Sequence, residues 1–300
     1  MDVRHLELLR DLRERGSLAA VAAATHRTPS ALSQQLRTAS RAAGTTLVEP
    51  HGRGLRLTEA GELLADGADD VAAALARVEA RLSEHRGQPV GRVRVAGLPS
   101  GLTALLPAVF TQLAGSGVDL EVDDLDLAEQ DYASAVADAD LVLAHSLTSE
   151  IPAGSAGLHR TVLVQEPIDV ALPQGHRLAA KDRLTPRDVI GESWLAVPEG
   201  YPFDTVLQRI EAECGRAVQR RLRMRDNQLI AALVASGAGV ALLPRFTTGT
   251  DAVILRPLTT VLSVRWVVAL SRPDRAERAA VRLVTDELIA SGRALTRNHA

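Results

Sequence analysis

Between Gly16 and Thr58 the chain strings together short pieces whose order leaves few folds open. An alanine-rich segment opens at Ser17, a polar break covers Thr25 to Thr28, a leucine-striped segment opens at Pro29, and two alternating stretches flank Gly52 and Gly54. Ser17 and Thr28 carry side-chain oxygens that accept from the orphan amides of a helix's first turn, and Pro29 has no amide to lose there. Leu18 to Ala24 is so rich in alanine that a second helix can cross it closely. Along the helix from Pro29, Leu32 and Leu36 stand four apart and face inward, while Ser30, Ser33, Gln34, Arg37 and Arg41 share the other face. No acid occurs from Pro29 to Ala43. Serine and glutamine hydrogen-bond base edges and arginine meets guanine or phosphate, so this face suits a major groove. Leu47, Val48 and Glu49, then Leu55, Arg56 and Leu57, alternate as paired strands around the turn from Pro50 to Gly54. The sequence therefore predicts a mainly helical winged helix-turn-helix over 1–57, with Arg53 at a thin tip that suits a minor groove or a phosphate. For either element taken alone, a plain solvated polar surface is the alternative.

Residues Leu6 to Gly61 resemble the DNA-binding end of LysR-type transcriptional regulators. The matching string is Gly16-Ser17, Val21-Ala22, Ser30-Ala31-Leu32-Ser33, Gly44, Leu47, Arg53 and Leu57-Thr58-Glu59-Ala60-Gly61. The resemblance implies that Thr28, Ser30, Ser33, Gln34 and Arg37 lie on the recognition helix and Arg53 on the wing, against a partly palindromic double-stranded operator. Thr25, Ala39-Ser40, Val48 and Pro50 depart from the family's usual residues, and Pro50 replaces one expected phosphate contact. Loss of one such contact lowers the salt slope of binding by about one unit.

Charge is divided unevenly. Met1 to Leu57 holds nine arginines, no lysine and five acids, a surplus of four, so the remainder carries −7 of the chain's net −3. A basic head on an acidic body fits a DNA-binding end and a soluble remainder. No stretch approaches the roughly 18 apolar residues of a spanning helix, and Met1 to Arg15 is charged and amphipathic, unlike a signal peptide, so a cytoplasmic protein is expected. The single cysteine, Cys214, excludes an internal disulfide and a thiolate zinc cluster.

Thr58 can cap a long helix to about Arg86, the linker of 58–87, with Glu59 and Glu62 in the first turn, where the helix dipole favours them. Leu64, Ala68, Val71, Leu75, Val78 and Leu82 alternate steps of four and three, the rhythm of a narrow seam buried against a partner helix. A homodimer follows, and the resemblance implies a homotetramer of two such dimers, with RNA polymerase as a candidate further partner.

The stretch 88–91, Gln88-Pro89-Val90-Gly91, breaks the helix and forms a hinge. Strand and helix patterns then alternate across 92–300, which reads as α/β with parallel pairing. By resemblance this is a bilobal effector-binding domain, with lobe I at 92–161 and 264–300 and lobe II at 162–263. A small-molecule effector is expected between the lobes, where strand ends and helix N-termini meet. Ser100 and Thr103, His145, and Tyr201 with Phe203 are the candidate contacts. Ser100 equally reads as a helix cap, His145 as a satisfied loop histidine, and the two aromatics as core plugs.

An enzyme on the same body is the weaker alternative. The chain lacks a phosphate loop, a Gly-x-Ser-x-Gly elbow, a His-Glu-x-x-His pair and a dinucleotide fingerprint, and Gly237-Ala238-Gly239 precedes a strand, which is the wrong context for pyrophosphate. No cofactor or metal is implied, and no catalytic residue. A ligand-independent repressor or architectural protein is the second alternative.

Overall fold

The computed structural model describes residues 1–52, 54–85, 89–125, 127–249 and 252–299, the side chains at 84 and 130 apart. The chain divides into two compact units, Met1–Gln88 with Arg272–Ala279, and Pro89–Ser271 with Ala280–Ala300.

The first unit begins with three helices, α1 (Val3–Arg15), α2 (Leu18–Thr25) and α3 (Pro29–Ala43). Their starts follow from the caps. The Ser17 hydroxyl accepts from the Ala20 amide at 3.2 Å, and the Thr28 hydroxyl accepts from Ala31 at 3.3 Å with Pro29 in the first turn. α2 ends in a left-handed residue, His26 at φ 53°, which turns the chain toward α3 within three residues. β1 (Val48–His51) and β2 (Gly54–Leu57) pair as an antiparallel hairpin, with Val48 opposite Leu57 and Glu49 opposite Arg56. Leu9, Leu12, Val21, Leu32, Leu36 and Leu47 close one small core beneath these elements.

α4 (Glu59–His85) follows, with the Thr58 hydroxyl accepting from the Gly61 amide at 3.2 Å. Gly61 is required by proximity: a Cβ there would lie 2.1 Å from the Leu47 carbonyl oxygen, so only glycine lets α4 pass the strand that closes the core. The six-residue seam expected on α4 is split. Leu64 packs on the head's core and Ala68 is buried, whereas Val71, Leu75, Val78 and Leu82 stand exposed. The reason is that α1 packs against α4, and the inward face of α4 is built from small residues, Ala65, Ala73, Ala76 and Ala80. α4 thus carries two apolar faces, a small one covered and a bulky one open.

The second unit runs through β3 (Gly91–Gly97), α5 (Pro99–Gln112), β4 (Val118–Asp124), a 3₁₀ segment (Glu129–Ala137), β5 (Leu141–Ser146), β6 (His159–Pro173) and a 3₁₀ turn (Arg177–Ala180). It continues with α6 (Pro186–Val189), β7 (Ser193–Ala196), α7 (Pro202–Cys214), β8 (Gln219–Arg223), α8 (Asn227–Ala235), β9 (Val240–Pro244), β10 (Val253–Pro257) and β11 (Val264–Ser271). α9 (Pro273–Ala276) belongs to the first unit and packs on α4, and α10 (Ala279–Asn298) closes the described chain. Among the described residues the sheet order is β4-β3-β5-β11-β6-β9-β7-β8, with β10 paired to β6.

Parallel pairing holds only toward the two ends of this sheet. β3 pairs parallel to β4 and β5, and β7 parallel to β8 and β9, but β11 is antiparallel to β5 and β6, and β6 is antiparallel to β9 and β10. The cause is topological: β6 and β11 carry the chain in opposite directions across the middle of the sheet. β6 serves two cores. Leu163 and Val164 join Val93, Leu105, Leu143 and Val284 in one, and Ile168 and Val170 join Trp194, Val206 and Leu243 in the other. Ser100 does not cap α5. That helix starts two residues earlier than a Ser100 cap requires, because Pro99 already has a helical φ and no amide to satisfy; Leu98 stands at the cap without a side-chain bond.

Candidate DNA-reading face and ligand cavity

On α3, Thr28, Ser30, Gln34 and Arg37 are exposed and Ser33 is half-buried, all on the side away from Leu32 and Leu36. Spacing of three and four along the helix brings these side chains into contact. The Arg37 guanidinium donates to the Ser33 hydroxyl at 3.0 Å and to the Gln34 side-chain Oε1 at 3.5 Å, and the Thr28 and Ser30 hydroxyls stand 3.2 Å apart. Each is a weak, solvent-facing bond between groups that can re-form bonds to bases and phosphates. On the wing, Arg56 is engaged by Glu49 across the strand pair, with Nε donating at 3.0 Å. Arg53, expected at the wing tip, lies outside the described residues.

The five candidate ligand contacts, Ser100 and Thr103 on α5, His145 on β5, and Tyr201 and Phe203 at the start of α7, line one cavity of about 800 Å³ in the second unit. Ser100 and Thr103 sit on the first turns of α5, where Thr103 donates its hydroxyl to the Pro99 carbonyl at 2.9 Å. Gly97 makes that chain reversal tight, since a Cβ there would meet the Leu143 side chain at 2.5 Å. Phe203 is buried against the second core and also faces the cavity, so both roles open to it from sequence are met by one ring. Tyr201 lies beside it under Arg225, whose Cζ is 5.0 Å from the ring centroid.

His145, on β5 opposite Val267 of β11, is not a satisfied loop histidine. It is buried, and neither ring nitrogen has a hydrogen-bond partner. Burial, helped by the charge of Arg265, pushes its pKa down to about 3, so the ring is neutral.

Two wall residues, Arg265 and Tyr132, were not singled out from sequence. Arg265 is 2% exposed and donates Nε to Glu166 Oε2 at 2.8 Å, while Glu166 Oε1 accepts from the Phe246 amide at 2.8 Å. Tyr132 stands edge-on to His145 with centroids 5.2 Å apart. Asp226 caps α8, accepting from the Gln228 and Leu229 amides at 2.8 and 3.1 Å, so the positive end of that helix is already answered. The one available signal for the ion pair was the lone charge of Arg265 in the otherwise apolar β11; Glu166 shares β6 with Arg160 and Asp169 and does not stand out. Among the described residues no cluster of three or more His, Cys, Asp or Glu is arranged to hold a metal, and no helix is long and apolar enough to cross a membrane.

A winged helix-turn-helix with an acid-free reading face, joined to a two-core α/β body with a cavity in its wall, defines a DNA-binding regulator with a ligand-binding-type domain. The family model described as the bacterial regulatory helix-turn-helix protein of the lysR family matches residues 3–62, and that of the LysR substrate binding domain matches 86–293. The chain belongs to the LysR family of transcriptional regulators. It is 30% identical over 247 residues to the HTH-type transcriptional regulator MetR of Escherichia coli strain K12, covering 82% of this chain and 75% of the relative. Among solved structures it resembles a full-length OxyR variant of Pseudomonas aeruginosa, with TM-score 0.64, 19% identity, and coverage of 96% and 94% of the two chains. Full-length BenM aligns with TM-score 0.55 and 20% identity over 100% of this chain and 98% of that one. These two likenesses concern the fold.

Proposed function

We propose that α3 reads operator DNA through Ser33 and Gln34, that Thr28, Ser30 and Arg37 hold it on the phosphate backbone, and that Arg53 adds a contact from the wing. The observation that carries this reading is the acid-free outer face of α3, where Ser33, Gln34 and Arg37 bond to one another along the helix. The exposed stripe of Val71, Leu75, Val78 and Leu82 is the surface on which two copies pair, setting two recognition helices at fixed spacing on a partly palindromic site. The division into a head to residue 57, a linker helix to 87, a hinge at 88–91 and two lobes meeting near 161 and 264 belongs to the same reading. A small molecule in the cavity, touching Ser100, Thr103, His145, Tyr201 and Phe203, is bound without being turned over. It favours one arrangement of the lobes and so changes the spacing or bend of DNA that the assembled dimers fit. The protein acts in the cytoplasm as a dimer or tetramer, with RNA polymerase as a further partner.

The recognition assignment is tested with an operator selected from randomised DNA. Gln34→Ala relaxes base preference at one position, with a discrimination loss of about 1–3 kcal/mol, while Arg37→Ala weakens all sequences more evenly. Equal loss on every sequence for Gln34→Ala contradicts the assignment.

A further inference from the structure

One buried group on the cavity wall lacks a partner. His145 is 4% exposed, and neither Nδ1 nor Nε2 meets a donor or acceptor. The neighbouring Tyr132 hydroxyl donates to the Leu125 carbonyl at 2.9 Å, and Arg265 is turned onto Glu166. Unmet polar atoms in a protein interior are destabilising and are ordinarily answered by a partner. The χ2 torsion of histidine is soft, so a modest ring rotation turns a nitrogen into the cavity this residue lines.

The surrounding charge decides what can answer it. A neutral imidazole offers one donor and one acceptor. Arg265 is already matched by Glu166. Around the rest of the wall Arg225 is balanced by Asp124 and Asp226, so the lining carries no positive excess. A carboxylate or phosphate seated against His145 loses its hydration without an uncompensated cation to receive it. Leu98, Leu127, Val197, Phe203 and Val253 make much of the remaining surface apolar, and a volume of about 800 Å³ falls in the range of sites for small organic molecules.

We propose that the cavity takes an uncharged, largely apolar molecule bearing a hydroxyl or carbonyl group, which hydrogen-bonds to His145. The inference rests on the reading of this cavity as the effector site. Neutral para-hydroxyacetophenone and benzylacetone, and the size-matched anions para-hydroxybenzoate and hydrocinnamate, are titrated against the full-length protein by ligand-observed NMR. The neutral pair binds and the anions bind at least about tenfold more weakly. His145→Phe, which keeps a ring without nitrogens, weakens the neutral pair about tenfold, and His145→Gln, which keeps a donor and an acceptor, leaves it within about threefold. Preference for the anions overturns the proposal on wild-type protein alone, as does unchanged affinity in a folded His145→Phe. Ala231→Phe, which fills the cavity, abolishes binding of every probe. If binding survives Ala231→Phe, or no probe binds, the effector-site reading itself fails and this inference with it.

Discussion

The outer face of α3 and the wall of the cavity handle polar groups in opposite ways. On α3 the working side chains fall within ten residues of one helix, face water, and bond weakly to their own neighbours. In the cavity they come from separate segments spread from Ser100 to Arg265, and the buried ones include an ion pair, Arg265 with Glu166, and the unmet ring of His145. A long charged polymer is read by groups that exchange solvent for phosphates and bases, so they can stay flexible until contact. A small molecule has few atoms with which to repay ordering, so its site is built and desolvated in advance.

The largest expected effect of breaking that contrast falls on the buried pair. Glu166→Ala strands the Arg265 guanidinium and takes an acceptor from the Phe246 amide, and it destabilises the second unit by about 3–5 kcal/mol in denaturant titration. A loss below about 1 kcal/mol would show that the wall is wetter and softer than its burial implies. Next comes acid sensitivity. The folded His145 ring stays neutral down to about 3, while in the unfolded chain it takes a proton near its ordinary value of 6.5. Between these values the unfolded state binds more protons, so stability falls as pH falls. Measured from pH 7.5 to 5, this group alone removes about 2 kcal/mol, and His145→Phe abolishes that part of the slope. An identical pH slope in wild type and His145→Phe would place the ring in contact with solvent. The smallest effect belongs to α3: Arg37→Ala changes stability by no more than about 0.5 kcal/mol, yet it lowers the salt slope of DNA binding by about one unit. A stability loss comparable to that of Glu166→Ala would erase the distinction between the two regions.

The same contrast explains what the sequence could reveal. α3 was legible because its signals are local: Thr28 and Pro29 set its start, and Leu32 and Leu36 its buried side. The cavity was legible in part. Loops after strands and before helices pointed to Ser100, Thr103, His145, Tyr201 and Phe203, but Arg265 reaches the wall through the pairings of β11 with β5 and β6, and Tyr132 through the packing of the 3₁₀ segment on β5, which no local pattern encodes. The antiparallel middle of the sheet was hidden for the same reason, since apolar runs carry no strand direction. On α4 the heptad steps of leucine and valine stood out, whereas the face buried within the unit, Ala65, Ala73, Ala76 and Ala80, did not, because alanine gives only a weak apolar signal.

The most direct test of the regulator reading is binding of the purified full-length protein to its own upstream intergenic DNA across a salt series, with random DNA as competitor. A discrete footprint that resists competitor and weakens steeply with salt is the predicted result. Weak binding, equal on all sequences, would contradict a specific DNA-reading role for α3.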